Sequence, residues 1–174
     1  MKRLTIACAA IVSGLLACSG CGQSPDELYT EAISLVQERD TLDEGLDALL
    51  TFERKYPGDP RTPEVLLSIA TVHQAKNDYD AAVDAFGRLI DTYPGTPEEY
   101  KGRFLLGYLY YDDLGDTGHA AEVFNAFITA YPDSDLTASA RVLLDNIDRP
   151  IEEWEIFEDI AESPGPSGST PAGE

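Results

Sequence analysis

Cysteine and histidine, two residue types that often act as nucleophiles, bases or metal ligands, are few in this chain, and their positions limit what they can do. All three cysteines, Cys8, Cys18 and Cys21, lie within the first 21 of 174 residues. The remainder of the chain therefore has no thiol for a disulfide, a metal site or a nucleophile. The two histidines, His73 and His119, are 46 residues apart, and a metal site would need at least a third converging ligand.

Carboxylates are abundant, but their spacing matches no known catalytic or metal-binding motif. The aspartates at 112, 113 and 116 share one loop, which lacks the spacing and the closing glutamate of a calcium site. No hydrolase, metalloprotease, nucleotide-binding or dinucleotide-binding motif occurs in the sequence. We therefore expect no catalytic residue, no metal and no cofactor, and we do not expect an enzyme.

The charge of the chain excludes one large class of partners. Lysine and arginine total 12 against 32 aspartates and glutamates, which gives a formal net charge of -20. Nucleic acids are bound through clustered lysine and arginine, so we expect no nucleic-acid partner. An acidic surface is also repelled by anionic lipid and favours basic segments of partner proteins.

The first 17 residues have the pattern of a signal peptide. Lys2 and Arg3 precede an uncharged apolar run at 4–16. This run of 13 residues is shorter than the roughly 20 residues that a membrane-spanning helix needs. We therefore assign 1–17 to a leader and not to a membrane span.

The end of this leader, Leu15-Leu16-Ala17-Cys18, resembles the lipobox of bacterial lipoproteins. The resemblance implies cleavage before Cys18 and attachment of lipid to it, with Cys21 as the second choice. Residues 18–24 would then form a short tether. In that family a residue other than aspartate after the cysteine, here Ser19, implies the outer membrane, with the protein facing the periplasm. The alternative is an ordinary secretory signal with incidental cysteines.

The body of the chain carries an internal repeat. Tyrosine-proline pairs begin at Tyr56, Tyr93 and Tyr131, at intervals of 37 and 38 residues, and periods of this size indicate a repeat array. Small residues lie twelve before each proline and large apolar residues eight before it. The small set is Gly45, Ala82 and Ala120, and the large set is Leu49, Phe86 and Phe124.

Apolar spacing of three and four residues predicts that each repeat is a helical hairpin. Possible caps at Ser24, Thr41, Thr62 and Thr96 mark helix starts. The predicted helices cover 25–39, 42–55, 63–76, 79–92, 97–113, 118–130 and 135–147. The expected fold is an all-α solenoid of about three hairpins over 25–147, with the seventh helix as a cap.

These residues resemble the tetratricopeptide repeat family, whose usual period is 34. The longer period and the polar turn after each Tyr-Pro are similar to periplasmic members. Examples are the lipoprotein subunit of the outer-membrane β-barrel assembly machine and the cell-division coordinator associated with the Tol–Pal system. The resemblance implies a stack with a concave groove that binds other proteins, lined by the first helix of each hairpin.

The groove candidates lie on the face of those first helices opposite the core-facing residues. Tyr108 and Tyr111 are the notable pair, because exposed tyrosines commonly anchor protein partners. The alternative is that one or both pack against the next helix. The full set of candidates is Leu67, Thr71, Gln74, Lys101, Leu105, Tyr108 and Tyr111.

Residues 148–163 form an acidic amphipathic segment in which Trp154 and Phe157 are three apart. This segment is expected either to fold back over the end of the array or to provide a second contact with a partner. Residues 164–174 are rich in proline, glycine and serine, a composition typical of a flexible tail.

Together these features predict a lipid-anchored, non-catalytic interaction scaffold in assembly or maintenance of the bacterial cell envelope. Its partners would be other envelope proteins, bound through basic or extended segments. Only the lipid would contact the membrane, and no small-molecule substrate is expected. The alternatives are an accessory lipoprotein of a secretion or polysaccharide-export complex and, in a different class, a lipoprotein enzyme.

Overall fold

The computed structural model describes residues 23–149 and Glu153. Cys18, Cys21, Trp154 and Phe157 lie outside the described residues, and the predictions on them stay predictions. The described part of the chain contains no β-strand. Its α-helices are α1 (Pro25–Leu35), α2 (Leu42–Lys55), α3 (Thr62–Ala75), α4 (Tyr79–Thr92), α5 (Pro97–Tyr108), α6 (Thr117–Ala130) and α7 (Asp135–Asp145).

The helices pair in sequence order, as expected for a stack of hairpins. The pairs α1–α2, α3–α4 and α5–α6 form three hairpins, and each hairpin packs on the next through α2–α3, α4–α5 and α6–α7. The first helices of hairpins two and three, α3 and α5, also contact each other directly. The prediction of an all-α solenoid of three hairpins followed by one further helix is confirmed.

The small and large repeat positions form the core of the stack. The large residues Leu49, Phe86 and Phe124 are completely buried, and so are Ala82 and Ala120. Full burial of these side chains contributes hydrophobic stabilisation that a single hairpin cannot obtain alone.

Gly45, which occupies the small position of hairpin one, is required by a close approach between α1 and α2. A Cβ at Gly45 would lie 2.6 Å from Val36 Cγ1, 3.0 Å from Val36 N and 3.1 Å from Leu35 C. The glycine therefore reflects tighter packing of α2 against the end of α1, and not a loosened repeat.

The tyrosine of each Tyr-Pro pair connects neighbouring parts of the stack. The Tyr56 hydroxyl donates to the carbonyl of Gln23 at 2.8 Å, and the Tyr93 hydroxyl donates to the carbonyl of Pro57 at 3.1 Å. The Tyr131 hydroxyl donates to the Glu99 carboxylate. Each tyrosine thus reaches back about one repeat, which gives a physical reason for its recurrence.

Three buried polar residues lie six positions after these tyrosines: Thr62, Glu99 and Thr137. The threonine hydroxyls donate to the carbonyls of Tyr56, at 2.9 Å, and of Tyr131. Glu99 differs, because its carboxylate accepts from Arg103 at 2.8 Å, from Gly95 N at 3.3 Å and from the Tyr131 hydroxyl. Hairpin three therefore has a buried, paired charge where the other units have a threonine.

The predicted cap at Ser24 is confirmed, and the caps at Thr41 and Thr62 are wrong. Ser24 and Glu27 form a complete capping box. Thr41 instead donates its hydroxyl to the carbonyl of Leu35 at 2.7 Å, and Thr62 lies inside α3. The first helix ends at Leu35 and not at 39, because a short 3-10 turn at Arg39–Thr41 precedes α2.

Residues 97–113 are helical as predicted, but the last five form a π-helical turn and not a continuation of the α-helix. The α-helix ends at Tyr108, and Leu109–Asp113 form a π-helical turn. The amide of Leu114 donates to the carbonyl of Leu109 at 3.1 Å, which is the wider hydrogen-bond spacing of a π turn. Leu109 is fully buried and fixes this turn to the core.

Candidate protein-binding groove

A groove of about 530 Å³ runs between α3 and α5 on the side of the stack away from the second helices of the hairpins. Its sides come from residues three and four apart on these two helices, with one leucine from α7. The lining residues are Glu64, Leu67, Ser68, Thr71, Glu98, Lys101, Phe104, Leu105 and Leu136.

The helix period explains why these side chains are available. The residues Val65, Ile69 and Val72 of α3 are buried in the core. Leu67 and Thr71 alternate with them on a neighbouring stripe of the same helix and are only half-buried. One helix thus stabilises the stack with one stripe and lines the groove with the adjacent stripe.

Four of the seven predicted groove residues lie together in this groove: Leu67, Thr71, Lys101 and Leu105. Leu67 and Leu105 are half-buried and contribute apolar surface, whereas Lys101 is exposed. The other three, Gln74, Tyr108 and Tyr111, are not among the groove-lining residues. They lie at or beyond the C-terminal ends of the same two helices.

Gln74 joins α3 to the π turn. Its side-chain amide donates to Asp113 Oδ2 at 2.5 Å. The amide is therefore engaged within the protein, and its role here is to hold the end of the groove together.

Tyr108 and Tyr111 have different environments. Tyr108 is 36% exposed, whereas Tyr111 is half-buried and packs against the core formed around Ala120, Phe124 and Phe127. Their ring centroids are 6.4 Å apart, with the ring planes tilted by 55°. Partial burial, followed by the nearby Asp112 carboxylate, raises the pKa of Tyr108. The Tyr108 phenol therefore stays neutral and keeps its O–H donor at physiological pH.

Five groove-lining residues were not among the sequence candidates. Glu64, Ser68 and Glu98 have the same spacing of three or four from the predicted residues, so the helix period alone contained the signal. Phe104 contacts the rings of Phe124 and Phe127 and also lines the groove. Leu136 comes from α7, and no pattern within hairpins two and three indicates it.

The groove has the chemistry of a binding surface. Apolar side chains form its centre, Glu64 and Glu98 lie toward the N-terminal ends of the two helices, and Lys101 is the only cation in its lining. No group of three or more metal-ligating side chains occurs within the described residues. Nor does any helix in this range have the length and apolarity to cross a membrane.

The two histidines are placed in separate local interactions. His73 Nδ1 lies 3.1 Å from Asp78 Oδ2. His119 Nδ1 lies 2.6 Å from Asp116 Oδ2, and this carboxylate raises the pKa of His119. Asp116 also caps α6 through the His119 amide. Each histidine thus has a neighbouring aspartate as its partner, at the start of a different second helix.

Part of the chain matches a known protein family. Residues 67–135 match the tetratricopeptide repeat family, a stretch that runs from α3 to the start of α7 and includes most of the groove. Comparison with curated proteins finds no match for the chain. The family match and the helical stack support a tetratricopeptide-repeat protein, and these repeats generally mediate protein–protein interaction in a fold that is typically non-catalytic.

Proposed function

We propose that this chain is a non-catalytic scaffold of the bacterial cell envelope that binds a segment of another protein in the groove between α3 and α5. The observation that carries the proposal is a groove with apolar surface from Leu67, Phe104 and Leu105 inside a repeat stack of the protein-binding type. Apolar surface in a concave site, bordered by a few charged groups, is the usual composition of a binding site.

The size of the groove favours a short segment of a partner. Glu98 and Leu105 are seven residues apart on α5, which corresponds to about 10 Å of helix. A single helix or an extended strand covers this length, whereas a folded domain would need a broader surface. The acidic rim and the net charge of -20 favour a basic segment.

The proposed membrane anchor is supported by the leader and by the lipobox-like residues Leu15 to Cys18 at its end. The tether between Cys18 and α1 includes Gln23, whose carbonyl accepts from the Tyr56 hydroxyl. Five residues from Ser19 to Gln23 span at most about 17 Å when extended. Lipid on Cys18 would therefore hold hairpin one close to the outer membrane and raise the effective concentration of membrane proteins near the groove.

The anchor is tested by metabolic labelling with a palmitate analogue and by membrane fractionation of Cys18→Ala and Cys21→Ala variants. We expect Cys18→Ala to lose the label and leave the membrane fraction, while Cys21→Ala keeps both. Retention of label and membrane association in Cys18→Ala would contradict the choice of cysteine. Absence of label from the wild type itself, with the protein released from the membrane, would support an ordinary secretory signal.

The groove is tested by copurification from native membranes. Leu105→Gln removes apolar surface from the groove, and Ala126→Gln introduces the same polar side chain at an exposed position of α6. We expect the partner to be lost with Leu105→Gln and kept with Ala126→Gln, provided both variants melt like the wild type. Equal recovery with both variants would place the binding site elsewhere, and removal of the chain from Ile151 onward then tests Trp154 and Phe157.

The second candidate pathway is an accessory role in a secretion or polysaccharide-export complex. It uses the same anchor and the same groove, so the identity of the copurified partner distinguishes it from envelope assembly or maintenance.

A further inference from the structure

We propose that the Tyr108 end of the groove receives a cationic side chain, so that the bound segment carries an arginine or lysine close to its apolar residues. This inference rests on the proposed function of the groove and specifies the chemistry of its ligand. The site, here called the Tyr108 end, consists of Tyr108, Asp112 and Asp113.

The ring of Tyr108 is exposed, yet its backbone is firmly held. The preceding Gly107 lies against Phe124, since a Cβ there would be 2.7 Å from a ring carbon. The following Leu109 is fully buried. A large aromatic ring presented from a fixed backbone loses little conformational entropy when a ligand covers it. Few large apolar side chains of the described residues are as exposed as Tyr108, which is 36% exposed.

Two carboxylates lie beside this ring. Asp112 is exposed one turn after Tyr108, and Asp113 is half-buried and held by the Gln74 amide. Neither aspartate takes part in an ion pair within the described part of the chain. The negative charge at this end is therefore available to a ligand.

A cation satisfies both features at once. Lysine and arginine are attracted to the face of a tyrosine ring. A neighbouring carboxylate adds a separate, charge-assisted hydrogen bond to the same cation. An apolar side chain would cover the ring but leave the charge of the two carboxylates without a cation. The combination of ring and carboxylates thus favours a cation, and arginine more than lysine because its planar group also stacks.

The opposite end of the groove is less suited to a cation. Glu98 lies there, but Lys101 follows it by one helical turn and reduces the negative potential. Tyr108 is seven residues beyond Lys101, or about 10 Å along α5, close to one Debye length at physiological salt. Repulsion by Lys101 would therefore direct a cationic residue of the ligand toward the Tyr108 end.

The helix rise gives the spacing expected in the ligand. Tyr108 lies about 5 Å beyond Leu105 along α5, and Asp112 lies about one turn further. An extended ligand rises about 3.3 Å per residue, so its cation would lie about two or three positions from the apolar residue over Leu105. The direction in which the segment binds decides whether the cation precedes or follows that residue.

The test is selection of 12-residue peptides from a displayed random library against the full chain, purified in detergent. A selected peptide is then measured by fluorescence anisotropy, together with a version in which citrulline replaces arginine. Three variants are compared with the wild type: Tyr108→Leu, Asp112→Asn, and the control Asp91→Asn at an exposed position of α4.

We expect selected peptides to carry arginine or lysine about two or three positions before or after an apolar residue. Loss of the ring face in Tyr108→Leu should weaken binding about two- to fivefold, as expected for an exposed cation–π contact. Asp112→Asn should weaken binding and reduce its dependence on salt. The citrulline peptide should bind more weakly to the wild type and lose nothing further with either variant, and Asp91→Asn should have no effect.

Two results would overturn the inference, and they differ in what they say of the groove. In the first result, peptide binding is lost with Leu105→Gln but is unaffected by Tyr108→Leu, Asp112→Asn and citrulline. This result would support binding in the groove and contradict the cation site. Peptides insensitive to Leu105→Gln as well, or no selected peptides at all, would count against both the cation site and the proposed groove.

Discussion

The repeat pattern and the packing around Gly45 predict opposite effects of a Gly45→Ala substitution on stability. The repeat has alanine at the equivalent positions Ala82 and Ala120, and glycine inside a helix costs about 1 kcal/mol relative to alanine. The pattern alone therefore predicts that Gly45→Ala stabilises the protein. The packing predicts the opposite, because the new methyl group would meet the end of α1 across the hairpin.

The contacts set the size of this effect. A Cβ at Gly45 would lie 3.0 Å from Val36 N and 3.1 Å from Leu35 C, and these backbone atoms cannot move aside by changing a rotamer. Overpacking of this kind costs about 1 to 3 kcal/mol. Rigid backbone neighbours place Gly45→Ala in the upper half of that range. After the gain in helix propensity we expect a net loss of about 1 to 2 kcal/mol, or a fall in Tm of about 3 to 8 °C.

Gly87→Ala is the matched control, since it lies inside α4 with no atom within 4 Å of a Cβ. It should gain about 0.5 to 1 kcal/mol from helix propensity alone. Both variants are compared with the wild type by circular dichroism during thermal and urea unfolding. A Gly45→Ala protein as stable as the wild type, or stabilised like Gly87→Ala, would refute the close approach of α2 to the end of α1.

The other stability predictions concern polar groups. Glu99→Gln should lower the free energy of unfolding, measured in urea, by about 2 to 4 kcal/mol because it leaves the Arg103 charge without its buried partner. The control Asp84→Asn breaks an exposed pair and should change this free energy by less than about 0.5 kcal/mol. Equal effects of the two substitutions would contradict the burial of Glu99. Thr62→Val should cost about 1 kcal/mol by the same assay through loss of a buried hydrogen bond, and a neutral result would contradict that bond. Arg61 lowers the pKa of Asp59 to about 2. The wild type should therefore be more stable to unfolding than Asp59→Asn above pH about 4, and this difference in stability should vanish as the pH falls to about 2. Urea unfolding of both proteins across this pH range checks the prediction. A difference in stability that does not change with pH would show that the Asp59–Arg61 interaction does not lower the pKa of Asp59.

The arrangement of hairpins was predictable because the repeat is built from local and strictly periodic features. The tyrosines at 56, 93 and 131 recur since each hydroxyl bonds to the connection, or to the helix start, about one repeat earlier. The small and large residues recur because two helices cross at the same level in every hairpin. Features that depend on one hairpin and its neighbour are thus visible in the spacing of residue types.

Some helix boundaries were not predictable from residue types, since a threonine near a helix start can use its hydroxyl in two ways. The side chain of Thr96 accepts from the Glu99 amide and caps α5. Thr41 and Thr62 instead donate to the carbonyls of Leu35 and Tyr56, each six residues earlier. Which of these occurs depends on the path of the preceding chain, which no local pattern specifies.

The groove was predictable where it follows a single helix face and not where it depends on three helices. The period of α3 and α5 was sufficient to indicate Leu67, Thr71, Lys101 and Leu105. Leu136 reaches the groove only because α7 packs on α6, which is a tertiary effect. The separate environments of Tyr108 and Tyr111 likewise depend on the π turn that begins between them, at Leu109.

The central claim is that a partner segment binds in the groove between α3 and α5. The most direct measurement incorporates the photo-cross-linking residue p-benzoylphenylalanine at Leu105, Thr71 or Asp91 in the anchored chain in native membranes, followed by mass spectrometry of the adducts. The account predicts that Leu105 and Thr71 capture the same basic segment of one envelope protein, while Asp91, exposed on α4, does not capture it. Capture of that segment from Asp91 alone, or from none of the three positions, would contradict the account.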